Sequence, residues 1–172
     1  MSIIEEILAR RSIRRYTHEA VSEEDLEDLL RAAMSAPSAG NEQPWHFVVI
    51  RDRELREAIP AIHPYAAMAA QAPLVILVCG DESLEKYKGF WTQDCAAATE
   101  NLLLAAQSKG LGAVWVGLHP VEERANALRQ LLGIPPQILP FSLVPIGHPD
   151  EKKLPSSRFD WKRVHFDRWS EP

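Results

Sequence analysis

Apolar residues recur along this chain at two spacings, and the spacing changes mark its elements. Ile3, Ile4, Ile7 and Leu8 share one face of a first predicted helix, with Glu5, Glu6 and Arg10 on its other sides. Leu26, Leu29, Leu30 and Ala33 repeat at the same spacing behind Ser22-Glu23-Glu24-Asp25, a Ser-x-x-acid capping box that predicts the start of a second helix. Short apolar or β-branched runs between breakers, at 47–50, 74–78, 113–118 and 143–146, predict buried strands. Residues 91–108 hold Cys95, Ala96, Ala98, Leu102, Leu103, Ala105 and Ala106, apolar on nearly every side. Such a helix belongs inside a domain or against a partner subunit. Val121, Ala125, Leu128 and Leu132 mark a last helix, closed by Gly133 and Pro135-Pro136.

Residues 149–172 break the pattern, being polar and aromatic with Phe159, Trp161, Phe166 and Trp169 but little periodicity. Leaving that tail in water is unfavourable, so it is expected to wrap over its own domain or a second subunit. No repeat or linker interrupts the chain, and its 172 residues, 46% hydrophobic, suit one domain spanning 1–172.

A net charge of −5 argues against a general nucleic-acid binder, and the basic cluster at 10–15 is too small for a groove. The longest apolar run, 72–79, is far short of the roughly 20 residues a bilayer demands. No basic stub and apolar block of a signal peptide stands at the start. Cys79 and Cys95 form no paired motif and read as reduced, buried thiols of a cytoplasmic protein. The six histidines show no metal-ligand spacing, so no metal site is expected.

Two segments carry candidate chemistry. Arg10, Arg11, Arg14 and Arg15 flank Ser12, giving cationic forks and a hydroxyl for which a phosphate monoester is the natural counter-ion. A solvated basic helix end is the plain alternative. In the second segment, Ser35-Ala36-Pro37-Ser38-Ala39-Gly40-Asn41-Glu42-Gln43-Pro44-Trp45-His46-Phe47, small hydroxyl, amide and glycine residues let backbone N–H groups approach a polar ligand. Here the alternative is an ordinary Asn/Gly turn. Gln107-Ser108-Lys109-Gly110-Leu111-Gly112 fits the Gln-x-x-Gly-x-Gly loop of acyl-CoA-dependent N-acetyltransferases, but that loop opens a helix and this one closes it.

Taken in order, five motifs resemble the FMN-dependent nitroreductase family over nearly the whole chain. They are the arginine-serine cluster, the Pro-Ser-x-x-Asn-x-Gln-Pro-Trp loop at 37–45, Ala72-Pro73 before a strand, the 94–112 helix with Asn101, and Gly147-His148-Pro149. The resemblance implies an α+β fold, a central mostly antiparallel sheet wrapped by helices, and an intertwined homodimer with FMN sites at its interface. It implies that Arg10, Ser12 and Arg14, with Arg11, hold the FMN phosphate and ribityl chain, and that Arg158 in the tail adds a second basic contact. Pro37, Ser38, Ala39 and Asn41 would reach the flavin of the other subunit, and the backbone of Val116 and Gly117 would face flavin N5. Where family members carry an Asn and a Lys for the pyrimidine edge, this chain has His63-Pro64-Tyr65-Ala66-Ala67. His63, Tyr65, Phe90 and Trp91 are candidates for the substrate pocket or for core packing, and Trp115 for a ring contact or the core. The implied activity is hydride transfer from NADH or NADPH through FMN to an electron-poor acceptor such as a nitroaromatic or quinone. The alternative is a flavin-binding protein without turnover.

Overall fold

Leu74, Ile76 and Val78 face one core and Val75, Leu77 and Cys79 another, all of them buried. Side chains alternate along a strand, so a continuous apolar run is buried on both faces of its sheet. In the computed structural model, which describes residues 2–154 and 156–169, this run is the centre of the fold. The elements are α1 (Ile3–Ala9), α2 (Glu23–Met34), β1 (Trp45–Ile50), α3 (Arg53–Ile62), β2 (Leu74–Asp81), α4 (Trp91–Ser108), β3 (Gly112–Ala113), β4 (Val116–Gly117), α5 (Glu122–Leu132) and β5 (Ile138–Gly147). The sheet runs β1-β2-β5-β3, with β4 also on β5, and every ladder is antiparallel. Helices α2 and α4 cover one face, α3 and α5 the other.

Ser22 begins α2 as expected: its hydroxyl accepts the Asp25 N–H at 3.0 Å and donates to the Asp25 carboxylate at 2.7 Å. Helix α4 is as enclosed as its composition predicts, with Cys95, Ala98, Leu102 and Ala106 fully buried. Gly80 lets β2 pass close to it, since a Cβ there would stand 2.2 Å from Trp91 Cε3. Both cysteines are free and buried. Burial pushes the Cys79 thiol up to about 12 and raises that of Cys95 as well.

Three expectations are corrected and one element is added. Helix α1 ends at Ala9, so most of the arginine cluster runs beyond it as extended chain. Helix α3 is an addition: its apolar stripe, Leu55, Ile59 and Ile62, is thin and Pro60 interrupts it. The run at 113–118 is not one strand, because Val114 N–H reaches the carbonyl of Pro145 at 3.4 Å and proline has no N–H to return. The last strand is longer than 143–146, spanning Ile138–Gly147 despite two prolines.

Leu154, Phe159, Trp161, Phe166 and Trp169 are exposed, so the described part of the tail does not bury its aromatic residues on its own domain. Residues 155 and 170–172 of that predicted extension lie outside the described residues. Ile3, Ile4, Ile7 and Leu8 of α1 are exposed too. Among the described residues no helix is long and apolar enough to cross a membrane.

Candidate functional site

The extended segment after α1 is bolted to the sheet edge. Ser12 bridges Ala113 in parallel and Ile13 N–H donates to the Ala113 carbonyl at 3.0 Å. Tyr16, buried, sets its hydroxyl 2.6 Å from the Ile13 carbonyl and 3.1 Å from that of Pro145, and burial raises its pKa strongly. Arg14 N–H donates to Glu151 at 2.6 Å, and this bond, with Lys153 beside it, holds the Glu151 carboxyl below its usual range.

These anchors give the arginines different employments. Arg10 faces Glu100 at 3.5 Å. Arg11 donates to the carbonyls of Leu8 at 3.0 Å, Arg10 at 2.6 Å and Leu154 at 3.0 Å, and among the described residues its buried Nη2 has no acceptor. Arg14 is exposed and lines a cavity of about 570 Å³.

That cavity is the site's centre. Val116 and Gly117 form one wall with Val114 and Trp115; His63, Pro64, Tyr65, Ala67 and Met68 form another; Arg124 from α5 completes it. Its volume lies within the roughly 300–1,000 Å³ of small-ligand pockets. Gly117 presents bare backbone, since a Cβ there would meet no atom within 4 Å. His63, only 2% exposed, accepts the Tyr65 N–H on Nδ1 at 3.2 Å and therefore carries its proton on Nε2. Nε2 donates to the Gly117 carbonyl at 2.9 Å, tying the two walls together. Trp115, half-buried, lines the cavity and packs edge-on to Phe141 at 5.8 Å, as the core-packing reading expects.

The 37–43 loop is built from strained backbone on a carboxyl pair. Gly40, Asn41 and Gln43 have φ of 54°, 55° and 48°, left-handed values that non-glycine residues seldom adopt, with right-handed Glu42 between them. Ser38 Oγ accepts the Gln43 N–H at 3.0 Å, and Asn41 Oδ1 accepts from Gln43 Nε2 at 2.8 Å. Ala39 N–H donates to Asp94 Oδ1 at 3.0 Å, while Glu42 Oε2 accepts from the N–H groups of Lys86 and Tyr87 at 2.6 and 3.1 Å. Burial and the adjoining Glu42 raise the Asp94 pKa. Burial alone would raise that of Glu42, but its backbone donors and Asp94 lower it.

Of the residues singled out in the sequence, Arg14, Val116 and Gly117 share one cavity. Arg10, Arg11 and Ser12 lie along the adjoining segment. Pro37, Ser38, Ala39 and Asn41 do not line the cavity of their own chain, nor does Arg158, which is exposed in the tail. His63 and Tyr65 belong to the cavity; Trp91 lies in the core and lines a separate cavity of about 630 Å³ with His119 and Arg129. Arg124 was not legible in sequence, because one cation among the charges of an amphipathic helix looks like any solvated face.

A family model described as the Nitroreductase family matches residues 7–67 and 62–148. A Methanothermobacter thermautotrophicus protein, provisionally assigned as an NADH dehydrogenase/NAD(P)H nitroreductase, is 50% identical over 169 residues, 98% of this chain and 88% of that one. A Bacillus subtilis protein named FMN reductase [NAD(P)H] is 30% identical over 181 residues, 95% of this chain and 72% of that one. The solved structure of an FMN-dependent nitroreductase from Clostridium difficile superposes with a TM-score of 0.90 at 27% identity, over 96% of this chain and 99% of that one.

Proposed function

Since the chain belongs to the nitroreductase family, we propose that it is an FMN-dependent oxidoreductase that takes hydride from NADH or NADPH and reduces an electron-poor acceptor such as a nitroaromatic or quinone. The observation that supports this most directly is the bare wall at Gly117. A flat ring system can lie against backbone that no side chain covers, and the residues around it offer cations and no competing acid. When bound, FMN supplies the two-electron chemistry at its ring nitrogen N5, taking up hydride and giving it to the acceptor.

The chain's own part is binding and orientation. The backbone of Val116 and Gly117 would face N5, with His63 fixing the Gly117 peptide. Arg14 and the Ser12 segment would hold the ribityl phosphate, joined by Arg10, by the unspent Arg11 Nη2 donor and by Arg158 of the tail. No side-chain nucleophile is required, so catalysis rests on positioning.

Pro37, Ser38, Ala39 and Asn41 would enter the site of a second copy. Supporting a homodimer are the exposed apolar face of α1 and the exposed tail aromatics, which a partner would cover. Two free, buried cysteines suit the cytoplasm.

The test is flavin retention: Gly117→Val, which fills the bare wall, should abolish FMN binding by the dialysed protein while leaving its circular dichroism unchanged. Undiminished FMN binding would refute the placement.

A further inference from the structure

The cavity at Val116–Gly117 carries charge of one sign: Arg14 and Arg124 line it and, among the described residues, no Asp or Glu does. Arg14 lies toward the segment assigned to the cofactor phosphate. Arg124 stands apart from that segment, on α5, with its guanidinium carbon 5.8 Å from the centroid of the Tyr65 ring. Tyr65 is itself 73% exposed and so forms an open shelf at the cavity.

Among the described residues Arg124 has no acceptor to satisfy it. Its Nη1 lies 3.3 Å from His63 Nε2, but that nitrogen already carries the proton donated to Gly117, and a guanidinium only donates. Among the described residues no carboxylate comes within ion-pair distance of Arg124. A half-buried guanidinium with its fork unspent, over an aromatic shelf, is built to receive an oxyanion from a ligand.

We infer that Arg124 is an anion subsite for the electron acceptor, and that the acceptor class is a small aromatic or quinonoid ring bearing an acidic group such as a carboxylate. This rests on the flavin placement above. With the flavin against the Gly117 wall, the ring of such a compound would stack on the flavin face turned away from that wall while its acid reaches the guanidinium.

The test compares 4-nitrobenzoate with its neutral analogue 4-nitrobenzamide on the FMN-loaded wild-type, Arg124→Gln and Arg124→Lys proteins. Binding is read without turnover, from the perturbation of the oxidised flavin spectrum, and then as KM and kcat. Nitrobenzoate should bind the wild type about tenfold more tightly than nitrobenzamide, as one charge-assisted contact implies. Arg124→Gln should erase that difference through KM at unchanged kcat, and Arg124→Lys should restore part of it. Equal affinities in the wild type would overturn the inference. So would a loss of FMN or an equal loss for both compounds in Arg124→Gln, or a defect confined to NADH and NADPH. A wild-type protein that takes up no FMN would instead overturn the flavin reading itself.

Discussion

The imidazole of His63 donates from Nε2 to the carbonyl oxygen of Gly117 at 2.9 Å, so a buried side chain on one wall of the cavity fixes the backbone of the facing wall. Both residues are far apart in sequence. The bond joins the turn after α3 to the strand that would meet the cofactor, and each depends on the other for its place.

Removing that donor should loosen both walls. His63→Ala is expected to destabilise the protein by about 1–3 kcal/mol and to weaken FMN binding, because the Tyr65 N–H and the Gly117 carbonyl lose a shared partner. His63→Gln, which can still donate, should recover part of both. Thermal unfolding and fluorescence titration of FMN measure the two effects.

A shared proton should make the 37–43 loop pH-sensitive. Glu42 Oε1 and Asp94 Oδ2 are buried with no other partner, and a proton held between them satisfies both. Asp94, raised above its ordinary 3.8, contributes stability that is lost as pH climbs through its raised value; Glu42, lowered below its ordinary 4.5, contributes stability lost as pH falls through its lowered value. Asp94→Asn keeps a donor toward Glu42 without a proton to lose. Its melting temperature should therefore gain on the wild type's as pH climbs from about 3.8 through the raised Asp94 value and level off above it, and parallel curves would disprove the shared proton.

Gly40 is the loop position least tolerant of a side chain. With φ at 54° and Tyr87 Cε2 only 2.5 Å from where a Cβ would stand, Gly40→Ala should cost about 1–2 kcal/mol and displace the loop. If this loop completes the partner's site, FMN affinity falls with it. Calorimetry of unfolding and of FMN binding gives both numbers.

The proposed dimer is tested by charge on the exposed face of α1. Ile4→Glu combined with Ile7→Glu leaves the buried cores untouched, as both residues are exposed in the single chain. Sedimentation should show a monomer that has lost FMN. A monomer retaining full flavin occupancy would contradict a site shared between subunits.

How much of this was legible in the sequence follows from where the information lies. The 74–79 run and the all-round apolar α4 announce two-sided burial in a single window, so the core could be read directly. Helix α3 could not, because three apolar residues around Pro60 look like loop until β2 and the short helical turn at Ala67–Ala70 close over them. The break between β3 and β4 is written in Pro145, some thirty residues away on the pairing strand. The arginines reveal the limit most clearly. Four neighbouring cations look equivalent in sequence, yet Arg10 meets a glutamate, Arg11 spends all but Nη2 on carbonyls and Arg14 reaches the cavity. Arg124 joins it only through the packing of α5 against the turn after α3.

The most direct test of the flavin assignment is the visible spectrum of the FMN-loaded protein under nitrogen, before and after NADH and, separately, NADPH. Bleaching of the oxidised flavin bands by one or both, and their return on adding a nitroaromatic or quinone, is the result expected of an FMN-dependent oxidoreductase. Flavin bands that stay unbleached with both nucleotides would contradict it and leave a flavin-binding protein without turnover.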